Sequence, residues 1–115
     1  MTKDQATRRG RALLKKLGHG WRLKVHENMG WHFHAECMEG HLSCHENYYG
    51  KAYRPKYWCQ LSDGDLPGAG SYLCLSTRVY TSPSEAVKAV VNMAEDTVFK
   101  LVMHVKTASL VARNL

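Results

Sequence analysis

The sequence predicts an α+β fold with an N-terminal helix, an antiparallel meander of four to five strands and a long C-terminal helix, both helices packed on one sheet face. Residues 21–47 alternate between apolar and polar side chains, as strands with one buried side do. Near both ends of the chain, apolar residues recur at helical spacing instead. A length of 115 residues suits a single domain, residues 1–115, with one core.

The first element is a short amphipathic helix at residues 4–17. Gly18 follows it, and glycine accepts the left-handed conformation that commonly ends helices. The basic residues of the segment lie largely off the apolar stripe. That stripe comprises Ala6, Gly10, Leu13, Leu14 and Leu17.

Three strands follow, and their polar side is the most unusual feature of the chain. We expect the two helices to cover the tryptophan-rich apolar side and to leave the polar side open. Five histidines on an open face indicate a surface that contacts something. The apolar side comprises Trp21, Leu23, Val25, Trp31, Phe33, Ala35, Cys37, Leu42 and Cys44. The polar side comprises Arg22, Lys24, His26, His32, His34, Glu36, His41, Ser43 and His45.

Two turns predict the register of these strands. A three-residue loop at Asn28–Gly30 places His26 opposite His32. A two-residue turn between the second and third strands places His34 opposite His45. With both turns, apolar residues lie opposite apolar residues and polar residues opposite polar ones. A slip of one residue in register would place each strand's side chains on the wrong face.

Two further strands are predicted after an aromatic loop. Residues 46–56 are too long and too rich in tyrosine for a simple connection. Residues 57–61 and 71–77 have strand composition, and the segment between them is rich in turn-forming residues.

The last helix begins at Pro83, with Ser82 as its N-cap, and runs to about Ala108. Its β-branched second half, Val98–Val105, is also compatible with a strand. Such a helix outruns the sheet, so its end either bends back or packs on a second copy, giving a homodimer. The overhang carries Phe99, Met103, Leu110 and Val111.

The charge of the chain favours anionic partners. Its formal net charge is +6, and residues 1–24 hold eight lysines and arginines against one aspartate. No apolar segment has the length of a bilayer span, and the N-terminus lacks the apolar core of a secretory signal. We therefore predict a cytoplasmic protein without a membrane partner, located in the host cytoplasm if a phage encodes it, with its four cysteines reduced.

A zinc site is one alternative for the histidines. His32 and His34 point the same way from one strand, about 7 Å apart. His26 or His45 on a flanking strand supplies a third ligand, as in catalytic zinc sites. The sequence offers no evident partners to orient these ligands. We predict no metal and no cofactor, with zinc at His32, His34 and His45 as the alternative.

Nucleic-acid binding is a second alternative, because basic residues and a tyrosine-rich loop combine cations with stacking surfaces. Catalysis is not predicted, since the chain lacks a glycine-rich phosphate loop and a nucleophile elbow. The main prediction is a non-enzymatic binding module that occupies a protein or nucleoprotein surface. A phage accessory inhibitor of a host nuclease, of the anti-CRISPR kind, is an example. The predicted contact residues are Arg22, Lys24, His26, His32, His34, His45, Tyr48, Tyr49, Tyr53, Arg54 and Lys56.

Overall fold

The computed structural model describes residues 1–47, 54–63 and 73–115, and it has the predicted α+β fold. Its strands form one antiparallel sheet in chain order, β1 to β5. The elements are α1 (Lys3–Leu17), β1 (Arg22–Glu27), β2 (Trp31–Cys37), β3 (Leu42–Asn47), β4 (Lys56–Ser62), β5 (Cys74–Ser76) and α2 (Pro83–Arg113).

Helix α1 begins and ends with side-chain and backbone caps. The Thr2 hydroxyl accepts from the backbone N–H of Gln5, whose side chain accepts from the backbone N–H of Thr2. Gly18 ends the helix at a φ of 91° and donates to the carbonyl of Leu14. Gly10 is buried against β1, where an added Cβ would collide with the Leu23 methyl groups. The absence of a side chain at Gly10 therefore lets α1 approach the sheet closely.

The predicted register of β1 and β2 is confirmed, with His26 paired to His32 across the two strands. The connecting loop is Asn28–Gly30, in which Met29 (φ 55°) and Gly30 (φ 117°) both have left-handed backbones.

The β2–β3 ladder follows the predicted register as well, with Ala35 opposite Cys44 and Glu36 opposite Ser43. His41 lies in the turn between these strands, where its N–H donates to the carbonyl of Met38.

Both helices pack on the same face of the sheet, as predicted, and the core lies between the two layers. Cys44 and Cys59 are opposite one another on β3 and β4, and both are fully buried. The hydrogen bond with Cys59 and burial together raise the pKa of the Cys44 thiol. The core comprises Ala6, Leu13, Phe33, Ala35, Leu42, Cys44, Tyr57, Cys59, Ala86 and Val90.

Polar contacts also attach α1 to the sheet. Arg9 Nη2 lies 3.0 Å from Oε1 of Glu46, a β3 residue that is 8% exposed. Lys16 Nζ donates to the Tyr57 hydroxyl over 2.7 Å. The sequence placed Arg9 among the outward basic residues, whereas its long side chain reaches the buried carboxylate.

Helix α2 packs with its first half and projects with its second. Pro83, Ala86 and Val90 are buried, whereas every residue from 98 to 115 is exposed. The alternative of a strand at Val98–Val105 is wrong, because that segment continues the helix. The overhang does not bend back. At about 1.5 Å per residue, α2 is about 46 Å long, and the molecule measures 63 × 30 × 27 Å.

Within the described ranges, neither helix combines the length and the apolar composition needed to cross a bilayer. The cytoplasmic location stays a prediction from the sequence.

Candidate functional site: the ring row

Five rings on the open face of the sheet form a continuous row across four strands. His32 contacts His26, with ring centroids 5.8 Å apart, and His26 contacts His34 at 5.5 Å. His34 stacks on His45 at 4.8 Å, and His45 stacks on Trp58 at 4.0 Å with planes 7° apart. We refer to these five residues as the ring row. The sequence correctly predicted that its four histidines share one face.

Trp58 was missed by the sequence analysis, which assigned it to a strand without assigning its face. Tyr57 and Cys59 are buried in the core, so Trp58 between them points to the open side. Trp21 and Trp31, the two tryptophans predicted on the helix-covered side, pack partly buried against the core. The alternation of β4 was the available signal.

Hydrogen bonds hold three of the imidazoles in place. His32 donates from Nε2 to the carbonyl of Asn28 over 2.8 Å. His34 Nε2 lies 2.8 Å from Oε1 of Glu36, and His45 Nε2 hydrogen-bonds the Ser43 hydroxyl at 3.0 Å. Both partners sit two residues away on the same face of the same strand. These hydrogen bonds restrict the orientation of the three imidazoles before any partner arrives.

Burial and mutual repulsion disfavour the charged forms of two histidines of the row, His26 and His45. Burial, followed by the nearby His34 and His26, lowers the pKa of His45 to about 4. Burial, followed by His34 and His32, also lowers the pKa of His26. The hydrogen bond from His34 lowers the pKa of Glu36. At neutral pH, His26 and His45 are thus uncharged and Glu36 is a carboxylate.

A cleft of about 490 Å³ opens beside the row. Among the described residues, three residue pairs form the β2–β3 ladder, and the last of them is Ala35 with Cys44. The cleft lies beyond this last pair. Both apolar and polar groups line it, so it can accept a side chain from a partner. Its lining comprises His26, Asn28, His32, Phe33, His34, His45, Glu46, Asn47, Trp58 and Val79.

The histidines of the zinc alternative stack on one another rather than converge. His34 and His45 lie ring against ring, and the Nε2 atoms of His32 and His34 already bind Asn28 and Glu36. Throughout residues 1–47, 54–63 and 73–115, no group of three or more histidine, cysteine, aspartate or glutamate side chains is placed to hold a metal ion.

The other predicted contact residues that the structure describes fall into two groups. Arg22 and Lys24 are exposed on β1, opposite Glu36 and His34 respectively. Arg54 and Lys56 are exposed at the start of β4. The predicted contacts at Tyr48, Tyr49 and Tyr53 lie outside the described residues.

No protein-family model, curated protein or solved structure matches the chain.

Proposed function

We propose that the chain is a non-enzymatic binding module that occupies the surface of a protein, alone or within a nucleoprotein complex, through the ring row. The ring row itself is the observation that carries the proposal. Tryptophan is among the residues that concentrate binding energy at protein interfaces, and side chains already held in place lose little entropy on binding. Inhibition of a host nuclease, a phage origin and the absence of catalysis stay predictions from the sequence.

The stacking within the row favours a protein over single-stranded nucleic acid. Bases bind proteins by stacking on open ring faces. Three of the four contacts in the row are stacked, so most ring faces already meet a neighbour. The row offers a partner ring edges and a cleft, which suit side chains better than bases.

The rim of the row favours an acidic partner surface. Arg22, Lys24 and Lys56 are exposed on strands that carry the row. Glu36 is on β2, the strand between β1 and β3, and its carboxylate already hydrogen-bonds His34. Exposed cations around the ring row attract acidic groups to the edge of the contact while the rings supply its core.

Affinity capture with matched baits tests this proposal. The baits are the wild type, the ring-row variant His26→Ala/His34→Ala and the control Arg8→Ser/Arg11→Ser on α1. We expect a protein that the wild type and the control retain and the ring-row variant loses. With that protein purified, calorimetry should give at least about 30-fold weaker binding for the ring-row variant. Equal retention by all three folded baits would overturn the proposal.

Nucleic-acid binding remains a second candidate, supported by the outer surface of α1. Arg8, Arg11 and Lys15 are exposed at steps of three and four residues, so they form a line of cations along the helix. Such a line binds a phosphate backbone without reading its sequence. This candidate uses a surface opposite the ring row.

Salt titration separates the two candidates. If three α1 cations contact phosphates, log affinity for an oligonucleotide falls with log salt at a slope of about −2 to −3. Arg8→Ser/Arg11→Ser should flatten that slope, and His26→Ala/His34→Ala should leave it unchanged. Absence of measurable affinity at 50 mM salt would remove this candidate.

A further inference from the structure

The second half of α2 carries an apolar stripe with the spacing of a coiled coil. From Val91 onward, apolar residues recur at alternating steps of three and four for three heptads, which is the pattern of coiled-coil a and d positions. The a positions are Val91, Val98, Val105 and Ala112, and the d positions within α2 are Ala94, Leu101 and Ala108.

The charged residues of this segment lie away from the stripe. In residues 96–115, every formally charged side chain falls at position b, c or f, on the far side of the helix, whereas Glu95 lies at an e position beside the stripe. The flanking e and g positions carry Thr97, Val102, His104, Ser109 and Val111. Two such stripes can therefore meet without like charges facing one another. The charged residues are Asp96, Lys100, Lys106 and Arg113.

The overhang needs a cover to be a stable helix. All of residues 98–115 are exposed, including Leu101 at 60% and Val105 at 57%. The segment contains four valines, and valine is a weak helix former. Most helical stability in proteins comes from packing of one face, so a cover would stabilise this half of α2.

We infer that two copies of the chain pair through this stripe as a parallel, two-stranded coiled coil. A second copy presents the same charge-free stripe, and such a stripe is complementary to itself about a two-fold axis. Valine at three of the four a positions, with Leu101 at a d position, favours two parallel strands. The pairing would also support the helix that the sheet leaves uncovered.

The molar mass of the full chain in solution tests the pairing. Light scattering or sedimentation at 1–100 µM should give twice the 13.1 kDa of one chain at the upper concentrations. Helical content by circular dichroism should fall on dilution. A monomer with unchanged helicity across that range would overturn the inference, and so would a trimer or larger assembly.

Two substitutions at equally exposed leucines test the stripe itself. Leu101 is a d residue and Leu110 is an f residue, 60% and 58% exposed respectively. Leu101→Lys should raise the dissociation constant of the dimer at least about 100-fold, because it places one lysine charge from each chain in the apolar a/d interface. Leu110→Lys should leave the dimer intact. Equal effects of the two changes would contradict the heptad assignment.

A cysteine cross-link tests the orientation. In a parallel dimer the two copies of a-position residue 112 face each other, whereas an antiparallel dimer places them near opposite ends of the overhang. Ala112→Cys, made with Cys74→Ser to remove the exposed thiol, should form an interchain disulfide under mild oxidation. A dimer that fails to cross-link would overturn the parallel arrangement.

Discussion

The imidazole of His45 stacks on the indole of Trp58, with ring centroids 4.0 Å apart and planes 7° apart. The two residues are opposite one another on β3 and β4. This contact closes one end of the ring row and helps to bury His45, and burial is the main cause of the low pKa of His45.

Removal of the indole should therefore raise the pKa of His45. In Trp58→Ala, we expect the pKa to move from about 4 towards its ordinary value of 6.5, because the ring gains solvent on one face. Trp58→Phe keeps a ring in contact and should change the pKa little. Proton NMR of the imidazole through a pH titration measures both. An unchanged pKa in Trp58→Ala would show that the indole does not shield His45.

Stability should depend on pH through His45. The folded pKa is below the unfolded value of 6.5, so the unfolded chain binds the proton more readily. The contribution of neutral His45 to the free energy of unfolding is therefore fully present above pH 6.5. It is lost as the pH falls from 6.5 towards 4. Allowing for the partial exposure of the ring, we expect a loss of about 1–2 kcal/mol in the free energy of unfolding.

Urea unfolding at pH 7, 6, 5 and 4.5 measures that loss. His26 also has a lowered pKa and acts in the same direction. Glu36, whose pKa is lowered as well, adds a loss only as the pH falls below about 4.5. His45→Gln can still hydrogen-bond Ser43 but does not titrate, so its profile should be flatter. A wild-type profile as flat as that of His45→Gln would contradict the assignment.

The Arg9–Glu46 ion pair should stabilise the attachment of α1. Arg9→Met leaves the buried Glu46 carboxylate without this partner, which we expect to cost about 1–3 kcal/mol because Arg9 is itself partly exposed. Arg8→Met, one residue away and exposed, should cost less than about 0.5 kcal/mol. Denaturant unfolding of Arg9→Met, Glu46→Gln and Arg9→Met/Glu46→Gln completes a double-mutant cycle that isolates the interaction of the pair, with Arg8→Met as the control. Additive effects in that cycle would mean that the two charges do not interact.

The β1–β2 loop contains a residue poorly suited to its backbone. Met29 is fully exposed at a φ of 55°, a conformation that asparagine adopts more readily than methionine. Because asparagine reduces the cost of the left-handed backbone, Met29→Asn should raise the free energy of unfolding by about 0.5–1 kcal/mol. Met29→Leu has no such preference and should match the wild type in thermal unfolding. A destabilised Met29→Asn would imply that the loop has a different conformation in solution.

The sequence could predict the sheet because two independent signals agreed. Alternation assigned the faces, and the loop lengths at Asn28–Gly30 and Glu39–Gly40 assigned the register. Trp58 was not predicted on the open face because the residues of its strand were not assigned to the two sides of the sheet. The apolar neighbours Tyr57 and Cys59 carried the information needed for that assignment.

Contacts that depend on side-chain rotamers could not be predicted. Alternation placed His34 and His45 side by side, but whether rings in that position converge on a metal ion or stack depends on their side-chain torsions. The same holds for Arg9, whose Cα lies on the partly exposed side of α1 while its guanidinium reaches Glu46. In α2, β-branched composition left Val98–Val105 open to two interpretations, and continuation of the helical pattern from Pro83 decided between them.

Histidine carbethoxylation tests the central claim, that the ring row is the contact surface, most directly. The chain supplies its own controls, because His19 and His104 are exposed on elements outside the row. In the complex purified by capture, mass spectrometry should find His26, His32 and His34 protected relative to the free chain, with His19 and His104 modified at unchanged rates. Protection at His19 or His104 alone, or none at the row, would contradict the account.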